Sequence, residues 1–193
     1  MSSITFDRVT KRFDNGREAL SEVSVEFASG SMTFLTGHSG AGKSTFLRLL
    51  IGADVATRGR IHVDDVDISK LGARRMPWYR RDVGVVFQDH HLLPEHNVFD
   101  NVALPLRINH AGEREIASRV RGALGRVDLL GKEHLMPGQL STGEQQRVGI
   151  ARAVVGKPKI LLADEPTGNL DPQLARSVME LFRQFNELGT TVV

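Results

Sequence analysis

Apolar and polar residues alternate along several short stretches of the chain, with the period of two that is typical of half-buried β-strands. Two other runs, 83–87 and 160–163, are mostly apolar, as in strands that are buried on both faces. On this basis, strands are predicted at residues 4–9, 20–27, 59–63, 83–87, 160–163 and 190–193. The first third of the chain is therefore expected to be rich in β-structure.

The pattern changes to a helical one in the middle of the chain. Between residues 89 and 158 apolar residues recur at helical spacing, for instance at Ile116, Val120 and Leu124. Prolines such as Pro105 punctuate this stretch. A helical insertion is predicted here.

One α/β domain accounts for the whole pattern. Residues 172–187 form a further amphipathic helix, which a proline opens, before the last predicted strand. We expect a single domain over residues 1–193, with a core of about 1–88 and 158–193 and a helical subdomain of about 89–157.

Composition restricts the class of protein further. The 193 residues carry a formal net charge of +2, with basic residues dispersed among 23 acids, so charge gives no argument for a nucleic-acid partner. The absence of cysteine excludes disulfides, thiolate metal sites and cysteine nucleophiles. No apolar stretch approaches 18 residues, and Asp7 and Arg8 stand where a signal peptide would be apolar. The chain is expected neither to span a membrane nor to be exported by such a signal.

The segment 37–45, which we call the phosphate loop, matches the pattern G-x-x-x-x-G-K-[ST] and follows an apolar run, 32–35. Glycines let backbone N–H groups converge on phosphate oxygens at the start of a helix. Lys43 supplies charge for the β- and γ-phosphates, and Ser44 offers its hydroxyl to Mg²⁺. A plain glycine-rich turn is the alternative. The predicted triphosphate site comprises Gly37, His38, Ser39, Gly40, Ala41, Gly42, Lys43, Ser44 and Thr45.

Two carboxylates, Asp164 and Glu165, directly follow the predicted strand 160–163. A parallel strand would deliver them to the carboxyl edge of the sheet beside the phosphate loop, where Asp164 would hold Mg²⁺. Glu165 points elsewhere and is the candidate that polarises an attacking water. Ordinary surface acids at a strand end are the alternative explanation.

Residues 140–147, which we call the serine segment, combine a helix start with a possible anion site. Ser141 and Glu144 have the spacing of a capping box. The same geometry leaves helix N–H groups and a hydroxyl facing outward, able to receive an anion. Both interpretations can hold together.

The phosphate loop, the serine segment, the run D-E-P-T-G-N-L-D at 164–171 and Gln88 together resemble the ATP-binding subunits of ABC transporters. The resemblance covers the whole chain. It implies a P-loop NTPase (RecA-like) core with an N-terminal antiparallel β portion and an inserted helical subdomain. It also implies an Mg²⁺-dependent ATPase that binds ATP or ADP.

The same resemblance implies a homodimer that forms on ATP binding. Each ATP would lie between the phosphate loop of one copy and Ser141, Gly143 and Glu144 of the other. Hydrolysis would then require dimerisation and reopen the dimer.

Three more site residues follow only from the resemblance. Phe13 would stack on adenine, Gln88 would sense Mg²⁺ and the membrane partner, and Asp171 would cross the dimer interface. With Lys43 and Glu165, Gln88 completes the implied catalytic set. The alternatives are a core position for Phe13, a solvated loop amide for Gln88 and a helix N-cap for Asp171.

Within that family, segments 35–42, 87–93 and 145–155 resemble the FtsE subfamily of bacterial cell-division ATPases. This implies a peripheral protein at the cytoplasmic face of the inner membrane with an FtsX-like integral membrane subunit. The division cytoskeleton is a further candidate partner, and nucleic acid is not. Alternatives are a lipoprotein or macrolide exporter ATPase and a nucleotide-gated interaction protein with incidental turnover. A soluble ABC ATPase of DNA repair or translation would need coiled coils or a second cassette, which this sequence lacks.

The sequence departs from the family pattern at two places. Thr142 stands where the family usually has glycine, which is expected to weaken dimer closure. The family's switch histidine would lie beyond Val193, so the fold is expected to be truncated at the C-terminus and the chain to bind ATP but hydrolyse it poorly.

Two further segments carry predictions. Residues 74–81 interleave arginines with Trp78 and Tyr79, which predicts a docking surface for the membrane subunit or, alternatively, an amphipathic helix with a core-facing side. His90 and His91 are adjacent, so they do not share a face, and a metal site there is not expected.

Overall fold

The computed structural model describes residues 2–168 and 170–193. Its strands are β1 (Ile4–Arg12), β2 (Glu18–Phe27), β3 (Arg58–Val63), β4 (Val66–Asp67), β5 (Val83–Val86), β6 (Ile160–Ala163) and β7 (Thr191–Val192). Its helices are α1 (Lys43–Leu50), α2 (Met76–Arg80), α3 (Val98–Ile108), α4 (Glu113–Arg126), α5 (Thr142–Val154) and α6 (Pro172–Glu187). Short 3-10 turns lie at Ile68–Lys70 and Pro137–Gln139.

The strands form an antiparallel and a parallel sheet. The antiparallel sheet has the order β2-β1-β3-β4, and the parallel sheet has the order β5-β6-β7. Met32 extends the parallel sheet by one bridge to Val192. Because β5 pairs with β6 so that Val86 lies opposite Ala163, the residues after both strands meet at one carboxyl edge.

The parallel sheet separates two hydrophobic cores. Leu161 belongs to the core that packs against α3, α4, α5 and α6. Its neighbours Ile160 and Leu162 belong to the core shared with α1 and the antiparallel sheet. Alternate side chains of a strand point to opposite faces, so β6 contributes to both cores. This explains why its sequence is apolar throughout.

Each of the six predicted strands overlaps an observed one, and one local expectation needs correction. The apolar run 32–35 before the phosphate loop does not form a full strand, since only Met32 is paired and Phe34 is 65% exposed. Pro105 does not interrupt the helical pattern but lies inside α3. Val102, Ala103 and Leu106 are buried there, and their packing holds the helix together despite the hydrogen bond that proline cannot donate.

The helices α3, α4 and α5 occupy the chain between β5 and β6, where the helical insertion is predicted. The bounds 89–157 for a separate subdomain remain a prediction. Over residues 2–168 and 170–193, every helix is too short or too polar to span a bilayer.

The short helix α2 corrects the prediction that Trp78 and Tyr79 belong to one docking surface. Trp78 is 65% exposed. The Tyr79 hydroxyl instead donates a 2.6 Å hydrogen bond to the Leu50 carbonyl, and burial raises the pKa of this phenol. Tyr79 therefore packs α2 onto the core, and only Trp78 is presented outward.

Candidate active site

The backbone path of the phosphate loop favours glycine at two positions. Gly42 has φ 95°, and a Cβ there would lie 2.4 Å from the Ala19 carbonyl oxygen. Gly40 has φ 80°, and a Cβ there would lie 3.4 Å from the Arg17 guanidinium. Positive φ is a conformation that side chains disfavour, and the loop lies directly on the start of β2. Both glycines are therefore needed for this backbone path.

Lys43 begins α1 and folds back over the loop. Its ammonium donates hydrogen bonds to the carbonyls of Gly37, at 2.8 Å, and His38, at 3.3 Å. The helix that positions it is anchored by Phe46, whose ring stacks on Phe6 at a centroid distance of 4.0 Å. The first N–H groups of a helix have no intrahelical partner, so they and Lys43 form an electropositive cradle suited to phosphate.

Ser44 and Asp164 are 120 residues apart in sequence and meet at the carboxyl edge of the parallel sheet. The Ser44 hydroxyl donates a 3.2 Å hydrogen bond to Asp164 Oδ1. Asp164 is fixed in turn because its backbone N–H donates to the Val86 carbonyl at 3.0 Å. A hydroxyl and a carboxylate are hard oxygen ligands that fit Mg²⁺.

Within the described ranges, histidine, cysteine and acidic side chains do not cluster in groups of three or more that could hold a metal ion. A magnesium ion held by Ser44 and Asp164 would therefore complete its shell with phosphate oxygens and water, as this ion commonly does. The backbone carbonyls of His90 and His91 accept hydrogen bonds from the Arg152 guanidinium. Burial lowers the pKa of His90.

Glu165 lies on a strained turn beside this pair. Its φ is 46°, and its carbonyl accepts a 3.1 Å hydrogen bond from the Gly168 N–H. Lys43, Asp164 and Glu165 line one cavity of about 190 Å³. A non-glycine residue in the left-handed region costs about 1–3 kcal/mol and persists where surrounding structure enforces it. The turn thus places Glu165 next to Asp164 at one cavity.

Gln88 and Phe13 both lie in loops. Gln88 is exposed and follows β5 by two residues, so it shares the carboxyl edge with Asp164 and Glu165. Phe13 lies between β1 and β2, half-buried, with the Lys11 ammonium 5.1 Å from its ring centroid. It is in neither of the two core clusters, which disfavours the alternative that it is a core residue.

The serine segment forms the predicted capping box. The Glu144 N–H donates to Ser141 Oγ at 3.3 Å, and the Ser141 N–H donates to Glu144 Oε2 at 2.8 Å. Ser141 and Thr142 are exposed, whereas Gly143 is buried. Ser141 is therefore available to a partner from outside. In the described part of the chain, no hydrogen bond joins this segment to the phosphate loop.

Gly143 has a packing role that the sequence did not reveal. A Cβ at this position would lie 2.2 Å from Leu174 Cδ2 in the first turn of α6. A side chain here would therefore require Leu174 to move, whatever the position does for a ligand. Asp171 caps that same helix, since its carboxylate accepts hydrogen bonds from the N–H groups of Gln173 and Leu174 at 2.9 and 3.0 Å.

Two more contacts near the site were not anticipated from the sequence. Gln146 is 2% exposed, and its amide donates to the Pro166 carbonyl, next to Glu165, at 2.9 Å. Lys132 forms an ion pair with Glu144. Gln146 lies within the serine segment and Lys132 lies outside every motif, but in both cases the contact depends on how distant parts of the chain pack.

Comparison with known proteins identifies the family to which this site belongs. The family model described as "ABC transporter" matches residues 20–168, more than half of the chain. This chain belongs to the ABC transporter family. This chain, which we call the cassette, is 52% identical over 190 residues to "Cell division ATP-binding protein FtsE" of Escherichia coli (strain K12). The match covers 98% of the cassette and 86% of that protein.

Other relatives give the same result. The FtsE protein of Mycobacterium tuberculosis (strain ATCC 25618 / H37Rv) is 46% identical over 191 residues, or 98% of the cassette and 83% of that protein. A solved structure described as a dimeric, post-hydrolysis state of the ATP-binding cassette MJ0796 bound to ADP and Pi superimposes with a TM-score of 0.91 at 35% identity. The match covers 98% of the cassette and 86% of that chain. The predicted fold and the resemblance to FtsE are confirmed.

Proposed function

We propose that the cassette binds Mg-ATP on the phosphate loop, hydrolyses it, and thereby drives an FtsX-like membrane subunit from the cytoplasmic face of the inner membrane. The observation that carries this proposal is the 3.2 Å contact between Ser44 and Asp164, with Lys43 and Glu165 at the same cavity. The phosphate loop, the Lys43 ammonium and the carboxylates of Asp164 and Glu165 are the kinds of group that phosphoryl transfer to water needs.

Each residue of the site would have its own role in ATP binding and hydrolysis. Lys43 and the first N–H groups of α1 would hold the β- and γ-phosphates and neutralise the charge that develops on them. Magnesium, when bound between Ser44 and Asp164, supplies further neutralisation of the phosphate oxygens. Glu165 would accept a hydrogen bond from the attacking water and orient it. Gln88 would lie at the same edge of the sheet. Phe13 would stack on the adenine ring of the nucleotide.

A second copy of the chain completes the proposed site. The exposed Ser141 of one copy would contact the γ-phosphate that the other copy holds, and the solved structure of MJ0796 is described as dimeric. The hydroxyl and helix N–H groups of the serine segment are the groups that suit an anion. Closing and reopening this dimer would move the docked membrane subunit.

Trp78 is the proposed centre of the docking surface for that subunit. The guanidinium carbon of Arg81 lies 3.8 Å from its ring centroid, so the exposed indole and the cation form one patch. Tryptophan and arginine are the residues that most often dominate protein interfaces.

Two substitutions test whether the cassette works as an engine. Lys43→Ala should lose ATP binding, whereas Glu165→Gln should bind ATP and fail to hydrolyse it. In cells that depend on this protein for division, we expect neither variant to restore function. Full function of Glu165→Gln would favour the nucleotide-gated interaction protein instead, because turnover would then be dispensable.

A further inference from the structure

An ion pair outside the predicted motifs reaches the serine segment. Lys132 lies between α4 and α5, and its ammonium bonds to Glu144 Oε1. The lysine side chain is 42% exposed and the glutamate side chain 17%. Exposed ion pairs of this kind generally contribute little to stability.

The other oxygen of the same carboxylate is engaged by Ser141. Glu144 Oε2 accepts hydrogen bonds from the Ser141 N–H, at 2.8 Å, and from the Ser141 hydroxyl, at 2.9 Å. A serine hydroxyl has one proton to donate. While Glu144 holds that proton, the hydroxyl presents only lone pairs outward, and these repel an anion.

Glu144 is a full negative charge at neutral pH. Hydrogen bonds from Lys132, and then from the backbone and hydroxyl of Ser141, lower its pKa to about 2. Without Lys132, the charge of the Glu144 carboxylate would not be neutralised. This carboxylate is hydrogen-bonded to Ser141 Oγ, the atom that would have to approach a phosphate. Like charges across an interface disfavour association.

We propose that Lys132 is a positioning residue for Ser141: it neutralises and orients Glu144, so that the serine hydroxyl can turn to a phosphate held by a second copy of the chain. The inference rests on the proposed dimerisation with ATP. It adds a residue and a charge requirement that the capping box alone does not contain, since a cap needs only Ser141 and Glu144.

The test measures ATP-induced dimerisation of the full chain carrying Glu165→Gln. This variant should not hydrolyse ATP, so its ATP-bound dimer should persist during the measurement. Sedimentation velocity in Mg-ATP gives the dimer Kd. Lys132→Met should raise this Kd at least tenfold, while calorimetry shows unchanged ATP affinity of the monomer. Adding Glu144→Gln should bring the Kd back to within about threefold of the parent, because the neutral amide keeps the cap and no longer needs a cation.

Two controls separate charge from folding. Lys132→Arg keeps a cation at this position and should dimerise like the parent. Lys70→Met removes a lysine from an exposed pair with Asp67 on the antiparallel sheet, and should have no effect.

Each outcome has a definite meaning. An unchanged Kd for Lys132→Met, in a parent that dimerises, overturns the role of Lys132 and leaves the proposed function standing. A weakened dimer that Glu144→Gln fails to restore overturns the charge mechanism. A parent that stays monomeric in Mg-ATP overturns the proposed dimer, and this inference with it.

Discussion

Gln146 and Pro166 are joined by a 2.9 Å hydrogen bond from the glutamine amide to the proline carbonyl. Gln146 is on α5, which the serine segment begins, and Pro166 directly follows Glu165. Within one chain, the helix proposed to face a partner's nucleotide is thus tied to the turn that carries the proposed water-orienting carboxylate. Movement of either one must strain or break this bond.

Gln146→Leu should therefore weaken both the fold and catalysis. It leaves a partly buried carbonyl without its donor, which should lower the free energy of unfolding by about 1–3 kcal/mol. The turn at Glu165 loses a restraint, so the single-turnover hydrolysis rate should fall about tenfold, or 1.4 kcal/mol, with ATP affinity unchanged. Urea unfolding, single-turnover assays and calorimetry measure the three quantities. The exposed Gln173→Leu is the matched control, and an undiminished rate in Gln146→Leu would contradict the positioning role.

Asp171→Ala should destabilise the protein independently of any dimer. It removes the carboxylate that accepts hydrogen bonds from Gln173 and Leu174, and loss of such a cap costs about 1 kcal/mol. Asp171→Asn should retain most of that stability, because asparagine caps nearly as well. Urea unfolding of the monomer without nucleotide measures both, and equal losses would show that the cap is not the stabilising contact.

Replacing Trp78 and replacing Tyr79 should affect different properties: binding of the membrane subunit for Trp78, and stability for Tyr79. Tyr79→Phe removes the hydrogen bond to Leu50 and should lower the free energy of unfolding by about 1 kcal/mol. Trp78→Ala should change it by less than about 0.5 kcal/mol, since the ring is exposed. Only Trp78→Ala should reduce co-purification with the membrane subunit. Full retention of that subunit by Trp78→Ala would remove Trp78 from the docking surface.

Acid should destabilise the wild-type protein more than Glu144→Gln. The pKa of Glu144 is lowered to about 2 from an ordinary value of 4.5. A carboxyl with a lower pKa in the folded state stabilises the fold above its unfolded pKa, and this contribution is lost as the pH falls toward the folded pKa. Urea unfolding at several pH values from about 5 to 3 should give a steeper decline for wild type. Parallel declines would mean that the Glu144 network is not formed in solution.

The parts of the site that local sequence determines could be predicted from the sequence. The phosphate loop and the acids at the end of β6 were recognisable because glycine, lysine and strand-end carboxylates have fixed local spacings. Ser44 and Asp164 could be paired across 120 residues because parallel strands share an edge. The length of α6 also followed from its pattern, since proline opens it and one face is apolar.

The contacts that hold those parts in place could not be predicted. Gly143 is fixed by Leu174, Gly42 by the Ala19 carbonyl, and Gln146 by Pro166. Each pair joins elements whose relative position is set by the two cores, and no local spacing encodes it. The same holds for Tyr79: its aromatic ring suggested an interface, and only packing of α2 on Leu50 shows that it points inward.

Triphosphate binding by the phosphate loop underlies every role proposed for these residues. Isothermal titration of the folded chain with Mg-ATP tests this, alongside Lys43→Ala, which removes the ammonium that now bonds to Gly37 and His38. We expect saturable binding of one nucleotide per chain and a loss of at least tenfold in affinity for Lys43→Ala. Absence of binding by the wild-type chain, or equal affinity in Lys43→Ala, would contradict the central claim.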